Sequence, residues 1–549
     1  MSLHKESESN GHTSPSAGSP NGLSSGNDGT KRNLRVSHAF SRLSSAGSLT
    51  TRVKPRHIQL ISMGGAVGTI MFVQIGSALS IGGPGSLFVA FLLWSTVLLA
   101  VNTCLAEMVC WLPISSPFVR FADRFVDEAL GVVSGLNFFI YIAIGIPFEM
   151  TAANLMLQFW TDRIPVAAVI VFMIVAYAAF NVFAVRLYGE VEFWLAIGKI
   201  VLAVGLLLFT LVVALGGNPE HDRFGFRNWD SSKVSGAPFV PYVFPGATGR
   251  FIGFLSCLVE AAFTMQGPEY IAMTAGEAAQ PRRTMYRSFS SITFRLVVFF
   301  VFGTLSVGVL VPHSDPALLG ASGHVKRGSG TSPYVIAMTR LRIPVLPHVV
   351  NALVLLSIFS AGNSYVYTAS RTLYGMALEG QVPRVFARCS KRGVPIYAVG
   401  ASMLFSSLAF LQLNRESAVI LQWISLIATV GLMINYALIS LTYLRFRAAL
   451  AEQNVPRSTL PWVGRLQPFC GYYALITCTT MIFLSGYAVF LPGHWSVTTF
   501  VFSYVLILIL PLVFLTWKFT KRTKASLRKV SEIDLFKRER GTMDDRDCI

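Results

Sequence analysis

Charged residues are scarce in this sequence. Asp, Glu, Lys and Arg make up 13% of its 549 residues, whereas hydrophobic residues make up 53%. Soluble domains contain about 25% charged residues, so this composition excludes an ordinary soluble enzyme. The charges that are present gather in short clusters between apolar runs of about 18 residues or more, a length typical of membrane-spanning helices. The sequence therefore indicates an all-α polytopic membrane protein.

Cysteine and processing signals are also sparse. The chain has seven cysteines, without the spacing of a metal site or the density of a disulfide framework, and we expect neither a metal nor a cofactor. There is no Asn-x-Ser/Thr acceptor for N-glycosylation, and no apolar core follows a short basic start as in a cleavable signal peptide. Residues 1–50 are rich in Ser, Gly and Asn, which predicts a disordered tail.

Twelve candidate spans follow, and the basic residues orient them. Of the 45 Lys and Arg residues, 33 fall on the side of the two termini, 10 on the other side, and Lys199 and Arg295 within spans. The positive-inside rule then places both termini in the cytoplasm, which removes the case for nucleic-acid binding that a net charge of +18 would otherwise raise. The basic C-terminal tail, 518–549, could also attract anionic lipid headgroups. Whether Lys5 and Lys31 carry regulatory modifications stays open. The predicted spans are centred near residues 69, 97, 145, 175, 203, 263, 301, 358, 404, 431, 482 and 507.

Two of these spans are interrupted at mid-membrane. The first contains Gly64-Gly65 and Gly68-Thr69, and the sixth contains Gln266-Gly267-Pro268-Glu269. Gly and Pro weaken a helix, and unwound backbone at this depth is tolerated only inside protein or along a cavity. Matching interruptions in two halves point to the binding site of an inverted-repeat transporter, with repeats in spans 1–5 and 6–10. Close packing of neighbouring helices is the alternative explanation for the glycines of span 1.

An ordered set of motifs resembles the fungal amino-acid permeases of the amino acid–polyamine–organocation superfamily. The resemblance covers about residues 55–535 and rests on these segments: Arg56-His57-Ile58-Gln59, Gly64-Gly65, Gly68-Thr69, Phe72-Val73, Gly82-Gly83-Pro84, Pro147-Phe148-Glu149, Tyr188-Gly189-Glu190, Glu192-Phe193-Trp194, Lys199, Ala275-Gly276-Glu277-Ala278, Ser360-Ala361-Gly362-Asn363-Ser364, Ser370-Arg371-Thr372-Leu373-Tyr374-Gly375 and Thr442-Tyr443-Leu444-Arg445-Phe446.

This resemblance implies a fold and an activity. The fold is leucine-transporter-like, with discontinuous helices 1 and 6 in a transporter domain over 51–517. Its inverted repeats cover about 57–217 and 250–446, and two peripheral helices lie within about 470–517. The implied activity is proton-coupled uptake of amino acids across the plasma membrane by alternating access, with an amino acid, a proton and the lipid bilayer as partners and no enzymatic step.

The breaks in spans 1 and 6 suit a zwitterionic substrate. Exposed N–H groups at a half-helix start favour an anion, and unwound carbonyls and a half-helix end favour a cation. We therefore expect the backbone of Gly68, Thr69 and Ile70 to bind the substrate carboxylate, and the backbone around Phe263, Gln266 and Gly267 to bind its ammonium group. Many family members carry glycine where this chain has Ile70, so the carboxylate cradle is expected to have a different shape here.

Ionisable residues inside the membrane are costly and therefore candidates for function. By resemblance to proton-driven relatives, Lys199 is expected to couple proton binding to transport, as a substitute for the sodium ion that links spans 1 and 8 in sodium-driven members. A purely structural ion pair is the alternative for Lys199. Glu269 is expected either to brace the break or to carry a proton, and Glu149 either to face the substrate or to brace its helix. Asn363 is a candidate for substrate binding, with helix–helix hydrogen bonding as the alternative. By family resemblance, Phe263 occupies the position of an aromatic gate that closes over the substrate, with an ordinary packing aromatic as the alternative.

The spacing of three residues in span 6 also predicts a shared face. Glu260, Phe263 and Gly267 stand at i, i+3 and i+7, which places them on one side of a continuous helix. Two other functions remain as alternatives to an amino-acid importer. One is a non-transporting amino-acid sensor with the same fold, and the other is a transporter of polyamines or other organic cations. A membrane enzyme is disfavoured because the spans contain no nucleophile–base or metal constellation.

Overall fold

A computed structural model describes residues 69–114, 116–183, 185–278, 280–321, 332–390, 393–414, 417–521 and 527–536. These residues form helices joined by loops and short 3-10 turns, and none of them belongs to a β-strand. The predicted N-terminal tail, Gly64, Gly65, Gly68 and the candidate modification sites Lys5 and Lys31 lie outside the described residues.

The helices are numbered α1 to α16 in chain order. They are α1 (Thr69–Phe72), α2 (Ile75–Trp111), α3 (Pro117–Phe125), α4 (Glu128–Leu157), α5 (Val166–Phe183), α6 (Val185–Ala214), α7 (Gly246–Thr264), α8 (Pro268–Met273), α9 (Pro281–Leu310), α10 (Pro316–Ala321), α11 (Pro333–Arg340), α12 (Leu346–Leu378), α13 (Ile396–Leu413), α14 (Ser417–Glu452), α15 (Phe469–Leu484) and α16 (Val497–Lys521).

The all-α polytopic prediction is confirmed. Ten segments of the described chain are helical, long and apolar enough to cross a membrane, and ten of the predicted span centres lie within them. The centre near 482 lies in α15, an apolar helix of 16 residues, and the centre near 69 lies at the start of α1. The last helix continues to Lys521, four residues beyond the predicted boundary at 517. The total of twelve spans and their arrangement in inverted repeats stay predictions.

A sharp turn at Gly83 divides α2 into an initial short piece and a long span. Gly83 has φ 78° and ψ 172°, and the long span begins at Pro84. This φ lies in the region that favours glycine, and a Cβ on Gly83 would approach the Pro238 carbonyl oxygen to 2.7 Å. The loop before α7 seals this turn, because the Gly85 N–H donates to Pro238 O at 2.8 Å and the Val240 N–H donates to Gly82 O at 3.0 Å.

Helix α4 lies at the centre of the bundle. In its most apolar stretch 83% of the residues are buried, against 17% in α16, whose remaining side chains face the surroundings. Helix α4 packs against α12 and α14. Its close approach to α12 depends on Gly145, where a Cβ would lie 2.8 Å from the ring of Tyr365. The central position of α4 places Phe148 against Phe263 in the last turn of α7, where the break begins.

Several helix ends meet on the face of the bundle that bears the end of α16. The Lys518 ammonium lies 3.2 Å from the carboxylate of Asp127, the residue that caps the start of α4. Glu107, near the end of α2, is buried and accepts hydrogen bonds from the Tyr443 hydroxyl at 2.7 Å, Arg457 at 2.5 Å and the Gly464 N–H at 2.8 Å. These contacts hold the loop before α15 against α2. The sequence reading did not single out Glu107.

Candidate functional site

The break in the sixth predicted span lies between α7 and α8. Helix α7 ends at Thr264 and α8 begins at Pro268, so three residues leave the helical path. Gly267 has φ 155°, a conformation that side-chain-bearing residues rarely adopt, and Pro268 supplies no N–H to continue the helix. The C-terminal end of α7, with its partial negative charge, therefore points into the protein core beside unwound backbone.

Because of the break, the prediction of a shared face in span 6 is wrong for Gly267. Glu260 and Phe263 lie one turn apart on α7, but Gly267 lies beyond the end of that helix and does not share their face. Residues at i, i+3 and i+7 share a face only in an unbroken helix, and here the helix ends at Thr264, before Gly267 and Pro268. Glu260 is partly buried, and the Thr264 hydroxyl donates to its carboxylate at 3.3 Å.

Gln266 holds the unwound segment in place. Its Oε1 accepts hydrogen bonds from the Tyr141 hydroxyl at 2.8 Å and the Tyr270 hydroxyl at 3.2 Å, and its Nε2 donates to the Phe263 carbonyl at 2.8 Å. These bonds join the break to α4 and α8 through one amide. The Gln266 side chain is thus engaged with protein groups, and the Phe263 carbonyl is occupied by it.

Glu269 lies at the start of α8 and is fully buried. Its Oε2 accepts hydrogen bonds from the Tyr436 hydroxyl of α14 at 2.8 Å and from the Gly267 N–H at 3.2 Å. Its Oε1 is buried and has no hydrogen-bond partner among the described residues. One oxygen therefore braces the break, and the other is a buried acceptor without a donor, so the geometry suits both of the roles expected for this carboxylate.

Phe263 closes one side of this region. Its side chain is 3% exposed and packs edge-to-face against Phe148 of α4, with ring centroids 5.3 Å apart. The next residue on α4, Glu149, is fully buried and lies within electrostatic range of Lys199 and Tyr177. Phe148 of α4 thus packs on the last turn of α7, next to the unwound segment, and Glu149 follows it in the chain.

Lys199 is paired within its own helix. Its Nζ lies 3.8 Å from Glu192 Oε1, and both side chains are 2% exposed. The Oγ of Ser360, on α12, lies 2.9 and 2.8 Å from the two oxygens of Glu192. Glu192 was noted only as part of a family motif. Its spacing of seven residues from Lys199, two turns along one helical face, is the signal that could have identified the pair.

Asn363 makes a helix–helix contact. Its Oδ1 accepts a hydrogen bond from Asn181 Nδ2 of α5 at 2.8 Å. This contact is the alternative that the sequence left open for Asn363. The preceding residue, Gly362, contacts Tyr177 so closely that a Cβ there would lie 2.0 Å from the Tyr177 hydroxyl oxygen.

The carboxylate cradle expected in span 1 is only partly described. Thr69 and Ile70 begin α1, two turn residues separate α1 from α2, and Gly68 lies outside the described residues. The structure brings Phe263, Gln266, Gly267 and Glu269 together at the break in span 6, and Glu149 lies one residue after Phe148, which packs on Phe263. Five tyrosines within hydrogen-bond or electrostatic range of this group, 141, 177, 270, 365 and 436, were not predicted. Within the described ranges, no group of three or more His, Cys, Asp or Glu side chains could hold a metal ion.

Comparison with known proteins identifies the family. The sequence profile described as "Amino acid permease" matches residues 57–529. The general amino acid permease AGP2 of Saccharomyces cerevisiae is 42% identical over 492 residues, covering 88% of this chain and 82% of that protein. The proline-specific permease of Emericella nidulans is 38% identical, covering 88% and 87%, and the lysine-specific permease of S. cerevisiae is 35% identical, covering 84% and 74%. The chain therefore belongs to the fungal amino-acid permeases of the amino acid–polyamine–organocation superfamily.

Proposed function

We propose that this permease is an amino acid:proton symporter that works by alternating access in the plasma membrane, with both termini in the cytoplasm. The observation that carries the proton-coupling part is the buried Lys199–Glu192 pair, bound to Ser360 of α12. The charge of Lys199 and the contact of Glu192 with Ser360 are coupled, because Lys199 lies beside the same carboxylate. Loss or gain of this charge would alter the attraction between α6 and α12.

The substrate would bind at the break between α7 and α8. The negative end of the α7 dipole suits the ammonium group, together with the unwound backbone of residues 265–267. The carboxylate would bind the backbone of Gly68, Thr69 and Ile70. Phe263 would close over the substrate, with Glu149 beside it. Asn363 would hold α12 against α5 through its hydrogen bond to Asn181. Glu269 would either brace the break or take up a proton.

Uptake by proteoliposomes tests the proposal. The vesicles are given a proton gradient with the acidic side outside, and the twenty amino acids are supplied singly. We expect uphill accumulation of at least one of them, and loss of this accumulation in Lys199→Met. The matched control is Lys233→Met, because Lys233 is an exposed residue of the loop before α7. Undiminished gradient-driven accumulation in Lys199→Met would overturn the coupling role.

The uptake measurements with single amino acids also distinguish the importer from the other candidate functions. The relatives are named as general, proline-specific and lysine-specific permeases, so the side-chain selectivity of this chain has to be measured. Saturable binding without translocation would favour the sensor. Uptake of spermidine that unlabelled amino acids do not reduce would favour an organic-cation transporter. If both termini are cytoplasmic, antibodies should reach an epitope at residue 549 only after the cells are permeabilised.

A further inference from the structure

A segment beyond the last membrane helix is packed against the bundle. Residues 527–536, here called the tail strap, contain one short 3-10 turn, Val530–Glu532, followed by an alternating pattern. Ile533 and Leu535 are 2% and 0% exposed, whereas Glu532 and Asp534 are exposed. An extended segment with apolar side chains on one side and charged ones on the other is suited to a groove rather than to solvent.

Side chains from two distant helices bind the backbone of the tail strap. The indole N–H of Trp111, the last residue of α2, donates to the Leu535 carbonyl at 3.0 Å. The Gln453 amide, just beyond the end of α14, donates to the Ile533 carbonyl at 2.6 Å. The ring of Phe536 packs edge-to-face on Trp111, with centroids 5.9 Å apart. These hydrogen bonds satisfy carbonyls at the two buried positions.

Charged groups around α3 fix the register of the tail strap. The Arg528 N–H donates to the Val126 carbonyl at 3.1 Å, and its guanidinium binds Asp123 at 2.9 Å. Farther along, the Arg124 guanidinium binds Asp534, with a salt-bridge distance of 3.3 Å. The two ion pairs have opposite polarity, because the strap supplies the cation in one and the anion in the other. Reversing or shifting the strap would therefore place like charges together.

The contacts define a docking surface on the face of the bundle that bears the end of α16. Arg445 of α14 completes it by donating to the Arg528 carbonyl. The surface is formed by α2, the α3 region and α14, and the predicted repeats assign α2 to the first repeat and α14 to the second. We name it the tail groove, lined by Trp111, Asp123, Arg124, Val126, Arg445 and Gln453.

We propose that the tail groove is a conformation-dependent binding site for the tail strap, which docks in one transport state and loosens in the other. The inference rests on the proposed alternating access, in which one repeat rocks against the other. A ten-residue strap fixed to α2 and to α14 cannot keep all its contacts when these helix ends move apart. Coupling of this kind is reciprocal, so docking also biases the affinity of the transport site.

Thiol labelling of the full-length protein in nanodiscs tests the docking itself. In a background with Cys389→Ser and Cys548→Ser, the reporter is Leu535→Cys and the matched control is Ser531→Cys, an exposed position on the same strap. Without substrate, a polar maleimide should label the reporter at least about tenfold more slowly, because a buried thiol reacts only after local opening. Equal labelling rates would overturn the docking.

A mixture of the twenty amino acids tests the coupling without requiring the substrate to be known. We expect the mixture to change the labelling rate of Leu535→Cys by at least about fivefold, the lower end of typical coupling between sites, and to leave Ser531→Cys unchanged. An unchanged reporter rate overturns the coupling even if docking stands. Absence of uptake of every amino acid would instead reject the proposed function, so the two failures are distinct.

A charge placed on either side of the tail strap provides a second measurement. Leu535→Asp buries a carboxylate in the tail groove and should release the strap, whereas Ser531→Asp adds the same charge to the exposed side. We expect the half-saturating substrate concentration for uptake to shift about fivefold in Leu535→Asp and to stay at the wild-type value in Ser531→Asp. Identical values in both variants would contradict the proposal, and the cysteine reporter decides the matter if Leu535→Asp does not fold.

Discussion

The ammonium nitrogen of Lys199 lies 3.8 Å from a carboxylate oxygen of Glu192, two turns earlier in α6, and both side chains are buried. Ser360 brings α12 into contact with this carboxylate. A charged group at membrane depth is expensive, and a partner of opposite charge together with a hydroxyl donor reduces that cost. The pair therefore stabilises the contact between α6 and α12 and keeps a titratable cation inside the bundle.

The first prediction concerns the stability of this pair. Glu192→Gln removes the carboxylate that lies 3.8 Å from the Lys199 ammonium, and breaking a buried pair from one side costs about 3–5 kcal/mol. The double variant Glu192→Gln/Lys199→Met removes both charges and should recover much of the loss. Thermal unfolding of the detergent-purified proteins measures both effects. If the double variant is as unstable as Glu192→Gln, the two residues do not act as a compensating pair.

The second prediction concerns the bond between Tyr436 and Glu269. Tyr436→Phe keeps the ring and removes the hydroxyl that donates to Glu269 Oε2 at 2.8 Å. A hydrogen bond contributes about 0.5–1.5 kcal/mol when Glu269 is protonated and about 1.5–3 kcal/mol when it is ionised, so we expect a lower melting temperature and reduced uptake. Tyr397→Phe, which removes the hydroxyl of an exposed tyrosine, is the control. Wild-type stability and uptake in Tyr436→Phe would mean that the bond does not hold the break.

The third prediction concerns the contact between Gly362 and Tyr177. A Cβ at Gly362 would lie 2.0 Å from the Tyr177 hydroxyl oxygen and 2.5 Å from Cζ, inside the α5–α12 interface. Overpacking a well-filled core costs about 1–3 kcal/mol, so Gly362→Ala should lower the melting temperature and the yield of folded protein. Gly400→Ala in α13 is the matched control, because an added Cβ there meets no atom within 4 Å. Equal stability of the two variants would refute the close contact.

The sequence predicted features that depend on local chemistry. The break at Gly267-Pro268 follows from a missing side chain and a missing N–H, and the long apolar helices follow from composition. Residue partners across helices were not predictable in the same way. Nothing in the chain near Gln266 indicates that Tyr141, more than a hundred residues earlier, donates to its amide. That contact depends on how α4 packs beside the break.

The role of a residue could not be predicted from its type alone, because the role also depends on partners from distant helices. Asn363 is polar at mid-span whether it binds a substrate or another helix, and only the position of Asn181 in α5 identifies the helix–helix bond. Glu192 was overlooked as a functional residue even though its seven-residue spacing from Lys199 was visible. Leu535 lies in a tail whose basic composition indicates exposure, yet its side chain is buried because a groove lined by distant residues accepts it.

The fourth prediction concerns His313, which lies outside the membrane spans in the loop between α9 and α10. The side chain is 7% exposed, packs near Gly236 of the loop before α7, and its Nδ1 has no hydrogen-bond partner within the described part of the chain. Burial lowers the pKa of His313 below its ordinary value of 6.5, because the imidazolium is disfavoured there.

The sign of the resulting pH dependence follows from proton linkage. Below about pH 6.5 the unfolded chain binds a proton at His313 before the folded protein does, so stability is full above this pH and falls as the pH drops towards the lowered pKa. The slope from this residue is at most about 1.4 kcal/mol per pH unit. His313→Gln removes this contribution to the slope. Melting temperatures measured between pH 7 and pH 5 should therefore fall less steeply in this variant than in the wild type. His494→Gln, at an exposed histidine, should follow the wild-type curve, and parallel curves for wild type and His313→Gln would contradict the prediction.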